Sequence, residues 1–249
     1  MIITLILPLI LYAYIGIFTR YVADDYETAG ALARYGFTGA QQYWYQTWSG
    51  RISYFALVSA VEMLGIQAVP YLTIVSLALW ILGLYWLLRQ LAAIAHIPHE
   101  GLTGFLGVSL ILFVTLRSLN QIHQILFWQT GLLTYVNYLI LFTFGVAWWI
   151  SRLRIKSNQP ASPIESLVCL IFAFVIAGIS EISIALQITA ISLILILLLI
   201  FPRLTFRKMG IGLAIAALTG SLISFAIMVS APGNLFGQLI FPPGPISSA

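Results

Sequence analysis

An all-α bundle of transmembrane helices is the fold class this sequence predicts, and three observations predict it. Of 249 residues, 61% are hydrophobic and 7% are charged, where a soluble domain carries about 25% charged residues. The stretches 2–19, 63–88, 118–151, 182–202 and 209–249 contain no Asp, Glu, Lys or Arg. About 20 apolar residues cross the hydrocarbon core as a helix, and helices are the open-chain structure that satisfies its own backbone there.

Seven spans follow in order: 1–19, 70–88, 101–117, 130–150, 164–180, 183–201 and 210–229. The first lacks a basic start and an A-x-A-like cleavage site, so it reads as a retained anchor rather than a signal peptide. Residues 20–69 read as an external loop with juxtamembrane helices. Asp24-x-x-Glu27 and Thr38-x-x-Gln41 each resemble a capping box that opens a short helix. Phe37, Trp44 and Trp48 share one helical face, and their aromatic rings suit the membrane interface. Residues 52–66 carry Glu62 and are short for a span, so they are expected to lie along the outer surface.

Basic residues orient the bundle. The positive-inside rule places Arg89, Arg152, Arg154, Lys156, Arg203, Arg207 and Lys208 in the cytoplasm, against Arg20, Arg34, Arg51 and Arg117 outside. The N-terminus is then cytoplasmic, and the protein is a multi-pass protein of the cytoplasmic (inner) membrane. Residues 1–249 form one transmembrane domain whose partner is the lipid bilayer. The net charge of +4 does not argue for nucleic acid, because the bases sit at helix ends. Cys169 is alone and forms no internal disulfide. His96 and His99 lack a third metal ligand, and there is no P-loop, G-x-G-x-x-G or G-x-S-x-G motif.

Four polar clusters fall on the outer side. Asp24-Asp25 pairs two carboxylates at a membrane edge: one can accept a proton from an attacking hydroxyl, or Asp24 caps a helix and Asp25 is solvated. The pair is also a possible site for a divalent metal. Trp48-Ser-Gly-Arg51 offers a guanidinium fork suited to phosphate, or a glycine turn with an interfacial anchor. Phe127-Trp128-Gln129-Thr130-Gly131, with Tyr135, Asn137 and Tyr138, is either a stacking and hydrogen-bonding wall for a sugar or an aromatic belt. Gly131, Tyr135 and Tyr138 would share a helical face. Glu181 is an ionisable residue between two apolar segments, or a solvated turn. Ser230-Ala-Pro-Gly-Asn234 closes the last span, with Asn234 as a possible ligand donor.

In this order, Ala-Asp-Asp-Tyr, Trp-Ser-Gly-Arg, Trp-Gln-Thr-Gly-x-x-x-Tyr-x-Asn-Tyr, Ser-Glu and Ala-Pro-Gly-Asn resemble a family of bacterial multi-pass proteins related to the glycosyltransferase-C superfamily. The resemblance runs from Met1 to about Asn234. It implies transfer of a sugar from a polyprenyl-phosphate donor to a glycan, lipid or protein acceptor on the outer face. Asp24 or Asp25 would activate the acceptor hydroxyl and Arg51 would contact the carrier phosphate. Trp48, Trp128, Thr130, Tyr135, Asn137, Tyr138, Glu181 and Asn234 would line the site. The chain departs from the family in ending soon after Pro-Gly-Asn and in placing Leu235 where a basic residue is usual. It therefore reads as the N-terminal portion of a longer enzyme. The rival expectations are a lipid-linked sugar transporter or flippase module, and an inactive membrane assembly subunit or fragment.

Overall fold

The computed structural model describes residues 2–97, 100–155 and 159–235, with the side chains of 2–5 and 100 left aside. His99, Lys156 and the Pro/Gly/Ser tail 242–249 lie outside the described residues. Every described element is helical. Five helices are long and apolar enough to cross a membrane: Ile66–Ile94, Gly101–Ser118, Gln129–Ile155, Glu181–Ile200 and Arg207–Val229. The chain is a helical, multi-pass membrane protein. Among the described residues three further apolar helices are shorter: α1 (Ile2–Gly16) and α9 (Pro163–Ala177), of 15 residues each, and Ile52–Glu62, of 11.

Between α1 and α9 lie α2 (Asp24–Thr47), α3 (Ile52–Glu62), α4 (Val69–Ile94), α5 (Glu100–Ser118), α6 (Ile122–Leu126), α7 (Gln129–Gly131) and α8 (Asn137–Ile155). The chain ends with α10 (Glu181–Ile200) and α11 (Arg207–Val229). Two of the four apolar clusters among the described residues lie deepest in the bundle's two halves. Leu9 of α1, Trp80 of α4, Leu112 of α5 and Ile140 of α8 belong to the first. Cys169 of α9, Ile191 of α10 and Leu213 of α11 belong to the second. Helices α9 and α11 approach closely because α11 is rich in small residues: a Cβ on Gly220 would overlap the Leu170 carbonyl. The outward faces keep large apolar groups exposed, such as Leu82, Leu186, Leu193 and Ile215, as helices bathed in lipid do.

The bundle has two distinct ends. At the basic end, Arg152 of α8 lies 3.7 Å from Glu165, which forms a capping box with Ser162 at the start of α9. Arg207 donates there to the Leu198 carbonyl at 2.9 Å. At the opposite end the loop helices α2 and α3 cover the bundle. Helix α3 has 11 residues, a length of about 16 Å, and both its ends stay on this side. Ser53 N–H donates to the Gly178 carbonyl beyond α9, while Glu62 accepts from Gln129 at the entrance to α8.

Helix α2 departs from the expected pair of capping boxes. It does begin at Asp24, but Ala23 holds the N-cap position and no side chain caps it. Asp25, not Asp24, turns back to accept from Val22 N–H at 2.9 Å. The second start is supplied by Gly36, whose φ of +67° kinks the helix, a conformation that glycine adopts without a Cβ clash. Gln41 then donates to α3, to the Phe55 carbonyl and Ser59. The expected aromatic face is split: Trp44 is buried and stacks on Phe55 at 5.0 Å, whereas Phe37 and Trp48 are exposed.

Candidate functional site

The covered end contains a cavity of about 410 Å³ whose wall includes Asp24, Trp48, Arg51, Trp128, Thr130 and Tyr135. Six of the residues picked out in the sequence therefore meet around one space, drawn from α2, the 48–51 turn and the entrance to α8. Glu27, Thr28, Trp44, Tyr54, Phe55, Gly131 and Thr134 complete it.

The two aspartates are not equivalent. Asp24 is exposed and faces the cavity. Asp25 is fully buried behind the wall. One of its oxygens accepts from Thr130 N–H at 3.1 Å and Thr130 O–H at 2.7 Å; the other accepts from Val22 N–H. Trp128 adds an Nε1–H bond to the Val22 carbonyl at 3.1 Å. Asp25 thus fastens the Ala-Asp-Asp-Tyr turn to the Trp-Gln-Thr-Gly segment. A cation bridging the pair would have to displace these N–H and O–H donors. Among the described residues no group of three His, Cys, Asp or Glu is placed to hold a metal ion.

Burial raises the Asp25 pKa above its ordinary 3.8, and the three hydrogen bonds only partly offset this. A carboxyl whose folded pKa is raised adds stability below the unfolded pKa and loses it as pH rises through the folded value. We therefore expect the stability of the native chain relative to Asp25→Asn to increase as pH is lowered from 7 towards 4. Paired thermal-unfolding curves in detergent would check it; a pH-independent difference contradicts the assignment.

A second buried carboxylate lies beside the first, and sequence reasoning missed its role. Glu62, at the end of α3, accepts from Tyr21 O–H, from Thr28 O–H at 3.2 Å and from Gln129 Nε2–H at 2.6 Å. Tyr21 has its phenol pKa raised, first by burial and then by Glu62, so it stays a donor. The available signal was a lone acid among apolar residues; its partners are 34–67 positions away in sequence and could not be inferred from spacing.

The entrance to α8 explains which of the expected wall residues face the cavity. Leu132–Val136 form a π-helical turn. Such turns carry one residue more than the α-helix and recur at functional sites. One extra residue displaces the following side chains by about 100°, so the Gly131/Tyr135/Tyr138 stripe is broken. Tyr135 lines the cavity. Tyr138 packs on Phe142 at 5.8 Å, and Asn137 accepts from Ser76 of α4 at 3.3 Å.

Arg51 stands at a boundary. Its guanidinium lies over Tyr54 and Phe55, 5.1 and 5.8 Å from the ring centres, and 3.7 Å from Glu181. Beyond it opens a groove of about 1350 Å³ between α10 and α11, walled by Ile184, Ile188, Leu222 and Phe225. Trp48 and Arg51 line both spaces, while Glu181 and Asn234 line only the groove. Asn234 caps α11 by donating to the Met228 carbonyl at 2.8 Å. Ser180 caps α10, which leaves Glu181 in its first turn, where the helix dipole favours an acid.

Three glycines set this junction. A Cβ on Gly50 would strike the Met228 backbone, one on Gly233 the Trp48 backbone, and one on Gly178 the Ser53 hydroxyl. Comparison with family models, with curated proteins and with solved structures returned no match.

Proposed function

We propose that this protein is a membrane glycosyltransferase that moves a sugar from a polyprenyl-phosphate donor to an acceptor hydroxyl. One observation carries the reading: Arg51 sits where a polar cavity meets an apolar groove. Such a junction suits an amphiphile with an anionic joint, its isoprenoid chain in the groove, its phosphate at the guanidinium and its sugar among Trp128, Thr130 and Tyr135. Guanidinium groups match phosphate oxygens in charge and geometry.

Asp24 is the base on this reading. The acceptor oxygen bonds to the anomeric carbon as the bond from that carbon to the phosphate oxygen breaks. The carrier phosphate leaves with the electron pair beside Arg51, and the acceptor proton passes to the Asp24 carboxylate. Attack from the face opposite the leaving group inverts the anomeric centre. Seven helices cross the membrane on this reading: the five long ones, and the 15-residue α1 and α9 with the residues that flank them. The cavity faces outward and the Arg152/Arg207 end faces the cytoplasm, as the positive-inside rule requires.

The test is binding of undecaprenyl phosphate to the purified chain in nanodiscs. Hydrogen bonds to charged groups are worth about 1.5–3 kcal/mol, so Arg51→Gln should weaken Kd roughly ten- to hundredfold. An unchanged Kd, or no binding by the native chain, sinks the donor assignment.

A further inference from the structure

A second cavity, of about 360 Å³, lies in the angle of the kinked α2 and is lined by Glu27, Gly30, Ala31, Arg34, Tyr35, Tyr43 and Trp44. Glu27 and Trp44 also line the Asp24 cavity, so the two spaces share a wall. We infer that this second cavity is a saccharide-binding site that presents the acceptor glycan to Asp24; the inference rests on the glycosyl-transfer reading above.

The chemistry of the lining favours a saccharide. Its size is within the range of about 300–1,000 Å³ found for small-molecule sites. Tyr35 and Tyr43 stack with ring centres 5.1 Å apart, and Arg34 lies 5.9 Å from the Tyr35 ring centre. Both tyrosines are partly exposed, so a face remains for the C–H side of a pyranose. Glu27 accepts hydrogen bonds and Arg34 donates them, which answers the paired hydroxyls of a sugar. One acid and one base leave the lining neutral, which fits an uncharged polyol better than a phosphate. A hydrocarbon chain would leave both charges without partners, at a cost.

The cavity depends on two glycines. The positive φ of Gly36 makes the kink. At Gly30 a Cβ would meet nothing within 4 Å, and the residue is helical, so a side chain there would enter open space without backbone strain.

The experiment is saturation-transfer NMR on the native chain in nanodiscs with maltotriose, mannotriose and chitotriose. At least one trisaccharide should show transfer. Gly30→Phe should abolish it by occupying the space, Gly30→Ala should preserve it, and Tyr43→Ala should weaken it at least tenfold. Arg51→Gln should leave it unchanged. Thermal unfolding of each variant separates blocking from misfolding. The inference is overturned if no trisaccharide shows transfer, or if folded Gly30→Phe and Tyr43→Ala both bind as the native chain does. Trisaccharide binding without undecaprenyl phosphate binding upholds this site and removes the donor reading. The reverse result removes this site alone.

Discussion

Asp24→Asn is expected to lower sugar transfer by about 10²–10⁴-fold, the usual contribution of a general base. The loss should fall on kcat, with the KM for the lipid donor little changed. Asp24 is exposed on the cavity wall, so the variant should keep its melting temperature. Asp25 cannot take over: it is fully buried and both its oxygens already accept hydrogen bonds. Glu27 is the other acid on the wall. Its replacement by Gln should raise the acceptor KM and leave kcat largely intact. Steady-state transfer from a polyprenyl-phosphate sugar checks both, and full turnover by Asp24→Asn removes the base from this position.

Glu62→Ala should be the most destabilising single change at the covered end. It removes the shared acceptor of Tyr21, Thr28 and Gln129. Thr28 keeps the Asp25 carbonyl as an acceptor at 3.0 Å, so Tyr21 and Gln129 are the donors left without one; at about 1–3 kcal/mol for each unpaired donor, the loss is about 2 kcal/mol or more before the cavity term. Glu62→Gln should recover part of this, since its amide oxygen still accepts while its amino group opposes a donor. Chemical denaturation in detergent measures the order native, Gln, Ala. If Glu62→Ala melts with the native chain, the network does not hold the loop. Glu62 touches neither cavity, so in a folded sample donor affinity should change less than stability.

The apolar helices were legible in the sequence because charge-free length is a property of contiguous residues. Helix α4 and the Glu181–Ile200 and Arg207–Val229 helices fall close to the expected spans. The motif residues were legible as types, and Asp24, Trp48, Arg51, Trp128, Thr130 and Tyr135 do surround one cavity. The distinction between Asp24 and Asp25 was not legible. Neighbours on a helix face different ways, and which one turns inward depends on Thr130, 105 residues away. Nor was the displacement of Asn137 and Tyr138: a π turn leaves no mark in the residue pattern that an ordinary helix lacks. Glu62 was visible as an acid in an apolar run, but its three donors, Tyr21, Thr28 and Gln129, come from two segments 34–67 residues away.

The glycine contacts at Gly50, Gly178 and Gly233 bear on the order in which the protein can be made. Chains are synthesised and begin folding from the N-terminus. The Asp25 and Glu62 network needs only residues 21–130 and can close while the ribosome is still extending α8. The turn that carries Arg51 is gripped by the residue after α9, by the end of α11 and by the turn beyond it. Until the last helix is inserted, Arg51 has the Tyr54 and Phe55 rings beneath it but not its groove, which needs Leu222 and Phe225 of α11. The junction between the polar cavity and the apolar groove is therefore the final part of this end of the bundle to form.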